Sequence, residues 1–120
     1  MVLQRLHEGS IPSPCPMTIG VKHDGGKPRA DLLSGRFVLD VCHVLSLGAA
    51  KYSPDNWRHV ERWRYMAAAG RHWLAYLSGE KLDKESGLSH LSHLVTNCMF
   101  LFEKDLEDAA SENAGGSPRP

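Results

Sequence analysis

The chain of 120 residues is short of cysteine, of net charge and of long apolar runs. Its three cysteines, Cys15, Cys42 and Cys98, are far apart, odd in number and free of any CxxC spacing. That pattern argues against a disulfide framework and against a thiolate zinc site, and it points to a reducing, cytoplasmic setting. Fourteen Lys and Arg balance fourteen Asp and Glu without clustering, so the broad positive field of a nucleic-acid binder is missing and nucleic acid is not expected as a partner. The opening "MVLQRLHEGSIPSPCP" lacks the continuous apolar core of a signal peptide. No later stretch approaches the roughly 20 apolar residues of a membrane span, so a soluble protein without a membrane partner is expected. No serine or cysteine stands out with a convincing base beside it, which removes nucleophilic catalysis from the leading readings.

What is present reads as one domain with irregular ends. Residues 1–21 form an arm rich in proline and glycine, residues 22–110 a helical domain, and residues 111–120, ending "ENAGGSPRP", a polar tail expected to be disordered. Three helical patterns fill the middle. The first covers about residues 34–51, with Ser34 as cap and Phe37, Val41, Val44, Leu45 and Gly48 at helical spacing. "KYSPDNW" breaks it at Pro54. The second, about residues 59–78, carries Val60, Trp63, Met66, Ala67, Gly70, Trp73, Leu74 and Leu77 in one stripe, and its other side is only weakly polar. The third starts near residue 86 after Gly79 and a charged connection, with Leu88, Leu91, Val95, Cys98 and Phe102 on one face and His90, His93, Asn97 and Lys104 roughly opposite. Three such helices cannot cover one another's apolar surface within so short a chain, and a homo-oligomer, at least a dimer, is expected to complete the bundle.

The stretch "GEKLDKESGLSHLSH", residues 79–93, concentrates side chains that can do chemistry. Glu80, Asp83 and Glu85 lie in a short connection beside the first turn of the helix that bears His90. These four groups can converge on Mg²⁺, or on Mn²⁺, which accept a few protein ligands together with water and phosphate oxygens. The plainer reading is a solvated loop whose last two acids stabilise a helix start, and it has about even weight on this stretch alone. HxxH, formed by His90 and His93, is not a specific signal.

Other polar features are each weak in isolation. "HDGGKPRADL" offers Asp24, Lys27 and Arg29 around a flexible glycine pair, suited to anionic oxygens or simply to a surface loop. "GAAKYSPDNW" sets Lys51 and Tyr52 at a helix end and Asn56 and Trp57 in a turn, where a carboxamide and an indole can meet a base or merely pack. His72 faces away from the apolar stripe of its helix, either into a cavity or into an interface.

Taken in order, "DGGKPRADL", "GAAKYSPDNW", "GRHWLAYLSGE" and "LDKESGLSHLSH" resemble a family of small, mostly bacteriophage proteins, the dATP/dGTP diphosphohydrolase N-terminal domain. The resemblance covers roughly residues 22–103. The matching positions are Asp24, Lys27, Pro28, Arg29 and Asp31, then Gly48, Lys51, Tyr52, Asn56 and Trp57. They continue with Arg71, His72, Gly79, Glu80, Asp83, Glu85, Ser86, Gly87, His90 and His93.

The resemblance implies an all-α, three-helix fold similar to the MazG-like nucleotide pyrophosphohydrolases and a purine deoxynucleoside triphosphate substrate. On that footing Glu80, Asp83, Glu85 and His90 hold Mg²⁺, His72 and His93 assist proton transfer, and Asp24, Lys27, Arg29, Lys51, Tyr52, Asn56, Trp57 and Arg71 bind substrate. One departure matters. MazG-like enzymes carry ExxE on one helix and ExxD on the next, whereas here Glu61 is followed by Arg64 and the third helix has HxxH. Either the metal site is rebuilt, or catalysis is lost and the protein sequesters a nucleotide, such as a signal in a phage–host conflict, without cleaving it.

Overall fold

A computed structural model describes residues 19–115 of the chain. They fall into two units, one up to Asp31 and one from Leu32 onward. In the first, the Lys27 N–H bonds to the Asp24 carbonyl at 3.1 Å, closing a turn in which Gly26 takes φ 82°. Arg29 forks onto Asp31, Nε to Oδ1 at 2.8 Å and Nη2 to Oδ2 at 2.7 Å, and a short 3₁₀ turn, Ala30–Leu32, follows.

The second unit is all-α, with three helices and, among the described residues, no strand. Helix α1 is Gly35–Lys51, opened by Ser34, whose Oγ accepts from the Phe37 N–H at 3.2 Å. The break at Pro54 contains a 3₁₀ turn, Asn56–His59, and helix α2, Arg62–Leu77, starts later than the residue 59 expected from periodicity because that turn takes up the first part of the pattern. Gly79 closes α2 with φ 101°. Its N–H reaches the Tyr76 carbonyl and the Glu80 N–H reaches that of Ala75, each at 3.0 Å, a paired C-terminal arrangement that needs a left-handed residue.

Residues 81–89 form no helix. Leu82 and Ser89 make an isolated antiparallel bridge, with Asp83 N–H to Leu88 carbonyl at 2.7 Å and His90 N–H to Lys81 carbonyl at 3.0 Å, and Gly87 turns the chain at φ 74°. Helix α3, His90–Gly115, therefore begins four residues after the Ser86 expected to open it. Ser89 caps it, its Oγ accepting from the Leu91 N–H at 3.1 Å. At the other end α3 runs into the stretch that composition alone reads as a tail.

Helix α3 packs along α2 more extensively than along α1. Ion pairs fasten its far half: Arg62 to Asp105 and Asp108, and Arg58 to Glu107 at 2.5 Å. Phe100 stacks on Trp57 at 5.4 Å, and the Tyr65 hydroxyl donates to the Trp57 carbonyl at 3.0 Å.

The faces in contact are not the apolar ones. Tyr65, Ala68, His72 and Tyr76 of α2 are partly covered, while Trp63, Met66, Leu74 and Leu77 of its apolar stripe are exposed. On α3, His90, Ser92 and Thr96 are buried, whereas Val95, Cys98 and Phe102 are exposed. Among the described residues Val44 alone is a buried apolar side chain. Ser92, at 0 % exposure, donates its hydroxyl to Asp40 of α1, and the Thr96 hydroxyl donates to the Ser92 carbonyl at 2.7 Å, so the centre of this unit is held largely by polar groups. Among the described residues no helix is long and apolar enough to cross a membrane.

Candidate active site

The turn after α2 determines which side chains meet. Because Gly79 reverses the chain and the Leu82–Ser89 bridge closes the loop, Glu80 and Asp83 return to the start of α3, where His90 and His93 sit one turn apart opposite His72 of α2.

His90, 4 % exposed, is held from both sides: its Nε2 meets Glu80 Oε2 at 2.6 Å and its Nδ1 meets His72 Nδ1 at 2.9 Å. A carboxylate only accepts, so Nε2 of His90 carries a proton. In the neutral ring that leaves Nδ1 as a lone pair, and His72 Nδ1–H donates to it. The hydrogen bond from His90, joined by the Lys84 ammonium at 3.5 Å, outweighs burial and keeps the Glu80 carboxyl below the usual carboxylate range.

His93 stacks on His72, centroids 4.5 Å apart and planes 9° from parallel, and its Nε2 shares a 2.7 Å hydrogen bond with Ser86 Oγ. Burial, with the nearby imidazoles opposing a second positive charge, pushes both His72 and His93 below their ordinary value. Asp83 is fixed by the Ser86 N–H, which donates to Oδ2 at 2.8 Å, and that oxygen lies 3.9 Å from His93 Nε2. Burial acts to raise the Asp83 carboxyl, but the Ser86 hydrogen bonds and the two histidines outweigh it and hold it low.

One donor atom from each of His72, Asp83 and His90 lies within 4.8 Å of the others, a grouping suited to a metal ion. Glu80 stands behind it, on the far nitrogen of His90. Glu85 does not join: its side chain is 83 % exposed and pairs with Lys51 at 3.5 Å, because the turn at Gly87 begins after Asp83 has been drawn inward and leaves Glu85 on the outer bend. Of Glu80, Asp83, Glu85 and His90, the four residues expected to hold a metal, the grouping includes Asp83 and His90, adds His72, and leaves Glu80 behind the His90 ring and Glu85 outside.

Beside this cluster lies a cavity of about 1130 Å³ whose wall includes His72 and His93 at one part and Tyr52, Asn56, Trp57 and Phe100 at another. It is large enough for a nucleotide. Trp57 is half-covered there, with Phe100 on its ring and the Arg58 guanidinium 4.6 Å from its centroid. Arg58 and Arg64, which the sequence reading left out, also line the wall. Arg58 adjoins Trp57 in the 3₁₀ turn, whereas Arg64 lies in the first turn of α2 and carries no sequence signal beyond its charge. Lys51 and Arg71 are exposed, and Asp24, Lys27 and Arg29 belong to the first unit, where Arg29 is committed to Asp31.

The model of the family described as dATP/dGTP diphosphohydrolase, N-terminal, matches residues 18–113. The chain belongs to this family. A protein named dATP/dGTP diphosphohydrolase from Salmonella phage PMBT28 is 36 % identical over 83 residues, 69 % of this chain. The matched region spans 29 % of that relative's length, so the chain corresponds to under a third of it. No solved structure matches the chain. In this member of the dATP/dGTP diphosphohydrolase N-terminal family, Glu80, Asp83, His72, His90 and His93 form one connected group.

Proposed function

We propose that the chain hydrolyses purine deoxynucleoside triphosphates, dATP or dGTP, to the monophosphate and pyrophosphate in a metal-dependent reaction in the cytoplasm. The observation that supports this most is the convergence of His72, Asp83 and His90 beside a cavity of nucleotide size, in a chain of this family. A bound divalent ion would supply a polarised water and neutralise charge on the phosphates. The rest falls to the chain. Glu80 fixes the ring of His90, and Ser86 fixes both Asp83 and His93. His93, disposed by burial to stay uncharged, is suited to take a proton from the attacking water. Within the second unit Lys51, Arg71 and Arg64 are the cations offered to the triphosphate, and Asn56, Tyr52 and Trp57 are offered to the base.

A second copy of the chain is proposed to cover the exposed stripe of α2 and the outer face of α3, because a chain with Val44 as its one described buried apolar side chain has too little core by itself. The test of function is incubation with ribo- and deoxynucleoside triphosphates and Mg²⁺, Mn²⁺ or Zn²⁺, or chelator, followed by chromatography. Metal-dependent release of pyrophosphate from a purine deoxynucleotide is expected. A second reading, binding without cleavage, is favoured by the single carboxylate in the metal cluster. It is established instead if one nucleotide is depleted from the filtrate and recovered intact after denaturation in every metal.

A further inference from the structure

We propose that His72, Asp83 and His90 form a site for a nitrogen-preferring divalent transition ion of the Zn²⁺ type rather than for Mg²⁺. This inference rests on the reading of the cluster as the metal site of the proposed hydrolase. Three features of the cluster carry it.

The first is the donor set. Imidazole nitrogen is a good ligand for Zn²⁺ and its neighbours in the first transition row, whereas Mg²⁺ takes oxygen and retains water. Two imidazoles with one carboxylate are a usual protein complement for a catalytic zinc, with a remaining position left to water or substrate.

The second is spacing. His72 Nδ1 and His90 Nδ1 stand 2.9 Å apart. Nitrogens bound to one ion at about 2.0–2.1 Å, in neighbouring positions, are separated by about 2.9–3.4 Å. The pair is therefore already near the distance an ion would impose, and the ion takes the place of the proton now shared between them. The proton shifts by exchange with solvent from Nδ1 to Nε2 of His72, so each neutral ring presents its Nδ1 lone pair to the metal.

The third is the support behind the ligands. His90 gives its far nitrogen to Glu80 at 2.6 Å, and Asp83 is fastened by the Ser86 N–H at 2.8 Å. A carboxylate on the outer nitrogen of a ligating imidazole fixes its tautomer and orientation and raises its basicity as a ligand. The pattern is one that a solvated loop has no use for: a ring 4 % exposed, with both nitrogens engaged and an acid and a second ring aimed at it.

The test uses the full chain stripped with chelator and titrated calorimetrically with ZnCl₂ and with MgCl₂. One Zn²⁺ per chain is expected, bound at least about 100-fold more tightly than Mg²⁺. His72→Ala and His90→Ala should each weaken it about 100-fold or more, Glu80→Gln about 10–100-fold, and His43→Ala, outside the cluster, not at all. Circular dichroism checks that the variants fold. Should they not, ¹⁵N shifts of the imidazoles in the unaltered protein decide: Zn²⁺ should move Nδ1 of His72 and His90 while His90 Nε2 keeps its proton. Equal or tighter Mg²⁺ binding, Zn²⁺ binding indifferent to both histidines, or unmoved Nδ1 shifts would each overturn the proposal. Binding and turnover are read separately. Zn²⁺ bound as expected without any nucleotide cleaved removes the hydrolase and keeps the site; cleavage supported by Mg²⁺ with no Zn²⁺ bound does the reverse.

Discussion

The rings of His72 and His93 lie parallel, 4.5 Å between centroids and 9° between planes, although they come from different helices. Each is depressed below its ordinary value of 6.5, first by burial and then by neighbouring imidazoles. The unfolded chain therefore binds protons that the folded one refuses. Their contribution to stability is whole above about pH 6.5 and is lost as pH falls below it. The depressed carboxyls of Glu80 and Asp83 add a second loss at lower pH, beneath their ordinary values of 4.5 and 3.8. In chelator, the melting temperature should fall between pH 7.5 and 5.5, and less steeply in His93→Gln. A flat profile over that range would contradict the burial argument.

Ser92 offers a separate test of the polar centre. Its hydroxyl is wholly buried and donates to Asp40, joining α3 to α1. Ser92→Ala leaves that carboxylate without its donor and should destabilise by about 1–3 kcal/mol in urea unfolding. A neutral result would mean that water replaces the hydroxyl without cost.

Gly79 sets where Glu80 goes. At φ 101° an added Cβ meets no atom within 4 Å, so any penalty of Gly79→Ala is conformational, about 1–2 kcal/mol, rather than steric crowding. Asparagine there should recover part of the loss, since it tolerates the left-handed region better. Urea midpoints of the two variants, ranked the other way, would show that the turn is not what limits this site.

The exposed stripe of α2 can be tested by charge. Trp63 and Leu74 are 63 % and 65 % exposed in the single chain, and a surface substitution at such a position ordinarily changes little. If a second copy covers them, Trp63→Glu or Leu74→Glu should halve the particle mass seen by light scattering and lower the melting temperature. An unaltered protein that is already monomeric at micromolar concentration would refute the covering copy.

The three helices, the Ser34 cap and the Gly79 stop were legible because each is a local signal: periodicity, a side-chain oxygen before a helix, a glycine after one. Which face of α2 meets α3 was not. Hydrophobic periodicity identifies a stripe but carries no information on whether the stripe is covered by the same chain or another, and here Trp63, Met66 and Leu74 point away from α3. The cluster was legible in part. Glu80, Asp83 and His90 lie close in sequence, but the pairing of His72 with His90 across the Gly79 turn is tertiary, and so is the exclusion of Glu85, which follows from which side of a bend it occupies. The late start of α3 had the same origin, since the Leu82–Ser89 bridge takes hydrogen bonds that a helix from residue 86 would have used.

The polar interior has one more consequence if the apolar faces belong to a neighbouring copy. Folding and encounter then become a single equilibrium, and dilution acts as a denaturant. Each tenfold lowering of protein concentration would remove about 1.4 kcal/mol of apparent stability per dimer, with no residue changed and no reagent added.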